Sequence, residues 1–114
     1  MIPEYISAVS DLIFSLKKQL IQDEEKLSEI TKNYLESKDS GLLEQLQRQK
    51  RLISERYKQL SAYYKNQSIK YLELSALEND NDTKVGYLKF ASEKMRLSEE
   101  AMTQAQLILE SDKS

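Results

Sequence analysis

Five side chains near the start of this chain, Ile6, Ile13, Leu20, Leu27 and Tyr34, recur at intervals of seven residues. A companion row of Ile2, Val9, Leu16, Asp23 and Ile30 runs beside them, and nine of the ten are apolar. An apolar repeat of seven sustained over more than four heptads marks a helix packed along its length, since a strand would repeat every second residue. The remaining sequence is free to stay helical, because only two Gly and one Pro occur in 114 residues. An all-β domain of this size needs turn residues about every 8–12 positions. The expected fold is all-α.

Turn chemistry concentrates at Lys38-Asp39-Ser40-Gly41 and at Asn79-Asp80-Asn81-Asp82-Thr83. Each offers N-cap oxygens to a following helix, and Gly41 offers a left-handed residue. Pro3 sits where a first helical turn tolerates it. The expectation is a single domain over residues 1–110 with three helices, α1 (about 4–37), α2 (about 42–78) and α3 (about 83–110), and a short polar tail at 111–114 without fixed structure. At ~1.5 Å per residue these are rods of roughly 50, 55 and 42 Å. Such lengths predict an antiparallel three-helix bundle or coiled-coil hairpin.

The seam of α2 reads Leu43, Lys50, Tyr57, Tyr64, Tyr71 with Leu46, Ile53, Leu60, Gln67, Leu74. That of α3 reads Leu88, Met95, Met102, Leu109 with Ala91, Ser98, Ala105, widened by Tyr87, Phe90, Leu97, Ala101 and Ile108. Folding α2 onto α3 about residue 81 sets Tyr57 against Ala105, Tyr64 against Ser98 and Tyr71 against Ala91, large against small. Folding α1 onto α2 about residue 40 sets Tyr57 against Asp23, which predicts a hydrogen bond to the one carboxylate in the α1 seam.

The net charge of −2 conceals an order. Residues 1–44 carry five basic and nine acidic side chains, residues 45–72 seven basic and one acidic, and residues 73–114 five basic and nine acidic. One reading is complementarity, with a basic middle helix selecting two acidic neighbours. The other is a basic ridge, Arg51, Lys58 and Lys65 one heptad apart, held out for an acidic partner or for nucleic acid. The acidic total, with a pI near 5.3, and the absence of a binding signature argue against nucleic acid.

Subtraction removes most chemistry. Without His or Cys the chain lacks the usual general base, the thiol nucleophile and the commonest metal ligands. Asp80 and Asp82 invite a calcium-loop reading, but a loop started at Glu78 puts Thr83 at the turn glycine and Lys89 at the bidentate glutamate. A capping loop is the better account. Ser15 and Lys18 have an S-x-x-K spacing without any companion motif, so they read as chance within a heptad helix. No enzyme, cofactor or metal is expected.

Candidate partner-contacting residues are the ridge Arg51, Lys58 and Lys65, the polar seam residues Lys50 and Asp23, and the soft stripe Met95 and Met102. Gln67 and Ser98 are polar seam residues of the kind that fix register. The layout is similar in scale to a spectrin-type repeat, whose core Trp has no counterpart here. Small secreted helical hairpins share the two-helix turn, but Asp39-Ser40-Gly41 lacks their Trp. Small acidic export chaperones of bacteria are similar in composition.

The functional expectation is a non-catalytic interaction protein that pairs with another, helical protein, with homodimerisation open to it. The alternative is a binder of nucleic acid or an anionic surface. The start, Met1-Ile2-Pro3-Glu4-Tyr5, lacks a basic region, and no apolar run approaches the roughly 20 residues that span a bilayer. A cytoplasmic protein without membrane contact is expected.

Overall fold

A computed structural model describes residues 3–110; Ile2 of the first seam and the polar tail at 111–114 lie outside the described residues. Three helices, α1 (Glu4–Ser37), α2 (Ser40–Leu77) and α3 (Asn81–Glu110), form an antiparallel three-helix bundle with no strand among the described residues. The bundle is long and flat, 63 × 24 × 15 Å between Cα extremes. Helix α2 lies between the other two, and α3 packs on it more extensively than α1 does.

The helix ends follow the local chemistry, with two adjustments to the sequence reading. The left-handed residue that ends α1 is Lys38 (φ 57°, ψ 27°), whose N–H donates to the Tyr34 carbonyl at 2.7 Å. Gly41 is already inside α2, where its N–H donates to the Asp39 carboxylate at 2.8 Å. Asp39 thus caps the helix and draws its start back to Ser40. At the second turn Asp80 is the cap, accepting from both the Thr83 N–H at 2.9 Å and its hydroxyl at 2.7 Å. These two bonds hold the Asp80 carboxyl below the usual carboxylate range. Helix α3 therefore begins at Asn81, two residues before the expected start.

The main core joins Val9, Ile13 and Leu20 of α1 to Ile53, Leu60 and Tyr64 of α2 and Ala101 of α3. Ile53 has no exposed surface, and burying such a side chain contributes roughly 1.5–3 kcal/mol. A smaller cluster gathers Ile6, Tyr71 and Ala91, with the Tyr71 ring 5.2 Å from Phe90 and 6.1 Å from Tyr87.

The register between α2 and α3 differs from the expected one. Serines bond to the backbone at the small residues of α3, while Tyr71 shares a buried cluster with Ala91 beside them. Ser54 donates to the Ala105 carbonyl at 2.9 Å and Ser68 to the Ala91 carbonyl at 2.7 Å. Between them Ser98 donates to the Ser61 carbonyl at 2.8 Å, and the two hydroxyls are 2.9 Å apart. A hydroxyl only two bonds from its own Cα reaches a facing carbonyl only if the two backbones lie close, as small contact residues permit. The tyrosines, three residues along from the serines, flank this seam instead of crossing it.

Between α1 and α2 the expected Tyr57–Asp23 bond is also replaced. Arg56 takes Asp23, and the Tyr57 hydroxyl donates to Glu24, one residue further on. Asp23 is buried and takes a second bond from Gln19 at 3.1 Å, while Gln49 caps its carbonyl at 2.9 Å. An arginine outcompetes a phenol for a buried carboxylate because it brings a full opposite charge. At the other end Gln67 donates to the Ile6 carbonyl at 3.1 Å and to the Ser10 hydroxyl at 2.8 Å, which ties the two helices in one register.

Candidate interaction surfaces

The close α2–α3 seam decides what is left on the surface. The side chains of α3 that are buried are all small: Ala91, Ser98, Ala101 and Ala105. Its large apolar residues stand beside the seam and are covered only in part, so Leu88, Phe90 and Met102 remain 44%, 54% and 39% exposed. On α1 the equivalent surplus is a row of Phe14, Ile21 and Leu35, all more than half exposed.

One groove runs between α2 and α3. Lys58, Ala62 and Lys65 form one wall and Met95, Glu99 and Met102 the other, over a floor that contains Ser61 and Ser98, enclosing about 420 Å³. A neighbouring depression of about 550 Å³ shares Met95 and adds Leu72 and Ser92. A third cleft, about 690 Å³, opens over Tyr57, Leu60 and Tyr64 with Lys17 and Leu97 at its edges.

Of the candidate residues named from sequence, Lys58, Lys65, Met95 and Met102 thus come together. Arg51 continues the same heptad row of α2 and is exposed. Lys58 pairs with Glu55 of its own helix at 3.3 Å, whereas neither Arg51 nor Lys65 has an acidic partner among the described residues. Lys50 and Asp23 do not join this group. Both are buried, and Asp23 serves the α1–α2 contact described above.

The acidic–basic–acidic order is answered only partly across helices. Arg56 reaches Asp23 of α1, while Arg48, Lys58, Lys70 and Arg96 pair with acids three or four residues away on their own helices. Arg96 holds the Glu93 carboxyl below its ordinary value and is itself pushed up by Glu93 and Glu100. Tyr57 is the titrating group most displaced by its site: burial first, then its bond to Glu24 and that residue's charge, push it up to about 12.

The serine row Ser54, Ser61, Ser68 and Ser75 lies outside the apolar seams that the heptads mark. Its signal was present: four serines one heptad apart on the helix that contacts both others. Leu72, which extends the basic ridge by one more heptad as an apolar residue, likewise lies outside those seams.

Comparison of the chain with known protein families, curated proteins and solved structures gives no match. Among the described residues no helix is long and apolar enough to cross a membrane, and no group of three or more acidic side chains is placed to hold a metal ion. Fold and surface define the class: a long three-helix bundle with apolar rows left outside its core.

Proposed function

We propose that this protein is a non-catalytic interaction module that works by pairing helices, as an adaptor, a spacer or a chaperone for a partner. The reading rests above all on the apolar rows at heptad spacing that remain exposed once the core is filled, Phe14, Ile21 and Leu35 on α1 and Leu88 and Met102 on α3. Single exposed apolar residues are ordinary; rows of them at a helical repeat are the footprint of a further helix. Self-association is the same chemistry, with α1 the element for exchange because α2 and α3 already form the tighter pair. A cytoplasmic location suits such a role.

The test is light scattering coupled to size exclusion, followed by affinity capture from the cells that make the protein, with a Phe14→Ser/Ile21→Ser/Met95→Gln/Met102→Gln variant alongside. A dimer, or a captured protein that the variant loses, supports the reading. A monomer that captures nothing overturns it.

A second reading is favoured by one observation, the absence of acidic partners for Arg51 and Lys65 among the described residues. In it the α2 ridge binds nucleic acid or another anionic surface. A gel shift across salt concentrations separates the two. Binding with a steep salt slope supports the second reading, and no binding at low salt ends it.

A further inference from the structure

We propose that the groove of Lys58, Lys65, Met95 and Met102 seats an amphipathic helix whose flank carries acidic residues one heptad apart. The proposal rests on the interaction-module reading and names its docking face and the chemistry of its partner.

Three features of the groove converge on that occupant. Its apolar wall is systematic, because the small-residue seam keeps the α3 row of Leu88, Met95, Met102 and Leu109 from being covered by α2; Leu88 and Met102 are exposed, and Met95 and Leu109 half-buried. Methionines in such a wall adapt to varied apolar side chains. Its other wall carries Lys58 and Lys65, and Arg51 continues their row beyond the groove at the same interval of seven, so the three charges span about 21 Å of helix at ~1.5 Å per residue. A partner that answers charges at that interval while filling an apolar stripe beside them is itself a helix, with acids at the same repeat.

Helix α2 already binds one acidic amphipathic helix. On its α1 side, Arg56 and Tyr57 are met by Asp23 and Glu24 of an acidic helix with an apolar seam. The groove repeats this pairing of an apolar row with basic groups on the opposite flank of α2; Glu99 is the one acid in its lining, and among the described residues Lys65 forms no ion pair with it. The lining favours a peptide over a polyanion, since neither depression along this face includes an aromatic side chain on which a base would stack.

The experiment titrates the full chain into two fluorescent helical peptides of about three heptads. Both have a Leu/Ile seam; one carries Glu at each flanking position and the other Lys. The Glu peptide is expected to bind and the Lys peptide to bind at least about tenfold more weakly. Lys58→Glu/Lys65→Glu is expected to invert that preference, and Met95→Gln/Met102→Gln to weaken binding of the Glu peptide by about tenfold. Both pairs are on the groove surface, and circular dichroism melts confirm that each variant is folded. Phe14→Ser/Ile21→Ser on α1 is expected to bind as the parent does.

Equal binding of both peptides, or indifference to the Lys58/Lys65 reversal, overturns the proposal. So does displacement of the Glu peptide by a DNA oligonucleotide at lower concentration than by unlabelled peptide. If binding is lost in the α1 variant instead, the groove assignment fails while the interaction-module reading stands. If neither peptide binds and the capture experiment is also empty, both fail.

Discussion

The two flanks of α2 hold their neighbours by different means. Toward α1 the contact is made by large aliphatic side chains, Val9, Ile13 and Leu20 against Ile53 and Leu60, and its polar element is a long-armed one, Arg56 and Gln49 reaching for Asp23. Toward α3 the middle of the contact is serine and alanine, with Tyr71 set against Tyr87 and Phe90 beside it, and hydroxyls bond directly to backbone carbonyls. The first stabilises mainly by removing apolar area from water. The second gives up much of that area in return for close backbones and short hydrogen bonds. The difference teaches why this protein has so much apolar surface. A seam of small residues cannot cover the leucines and methionines on either side of it.

The comparison breaks most readily at the α1 flank. Arg56→Met leaves Asp23 buried beside Gln19 without its counter-charge, and is expected to cost about 3 kcal/mol in chemical denaturation. Adding Asp23→Leu is expected to restore most of that loss. If the double variant is as unstable as the single one, the ion pair is not what holds this flank.

On the α3 flank the damaging change is an added side chain. Ala105, with no exposed surface, faces Ser54, and Ala105→Leu is expected to cost about 2 kcal/mol by forcing the helices apart. A variant as stable as the parent would show that the seam is looser than its hydrogen bonds imply.

Smaller effects sharpen the contrast at the helix ends. A Cβ on Gly86 meets nothing within 4 Å, and no glycine takes a positive φ, so Gly86→Ala is expected to gain about 1 kcal/mol and to slow amide exchange in the first turns of α3. Lys38→Gly, which puts a glycine at the left-handed end of α1, is expected to gain a similar ~1 kcal/mol. The smallest effect is alkaline. Because Tyr57 is pushed up to about 12 in the folded protein from an ordinary value near 10, its contribution is complete below pH 10 and is lost as pH rises toward 12. Tyr57→Phe is expected to flatten part of that slope and to remove the latest phenolate transition from an ultraviolet titration.

Much of the architecture was legible in the residues. The α1 seam predicted the buried face of that helix, including Ile6, Val9, Ile13, Leu20 and Ile30, because a repeat of seven has only one helical interpretation. The two turns were legible from capping residues to within two positions. The register of α2 on α3 was not, since heptads look alike after any slide and a fold about residue 81 differs from the observed one by only three in the sum of paired positions. Asp23 was recognised as the odd member of its seam, but its partner was not, because Arg56 lies one position from the predicted Tyr57. The groove was legible as two separate stripes, Lys58/Lys65 and Met95/Met102. Only the serine seam, which sets their helices side by side, makes them one surface.

That seam also behaves as a ratchet with evenly cut teeth. Ser54, Ser61, Ser68 and Ser75 on one rail, and Ala91, Ser98 and Ala105 on the other, offer nearly the same set of bonds after a slip of one whole heptad. Nothing in the teeth themselves selects the stopping point. The short connection between Leu77 and Asn81, clamped by Asp80, acts as the pawl. Opening the backbone there would leave two rods free to settle in alternative, equally spaced alignments.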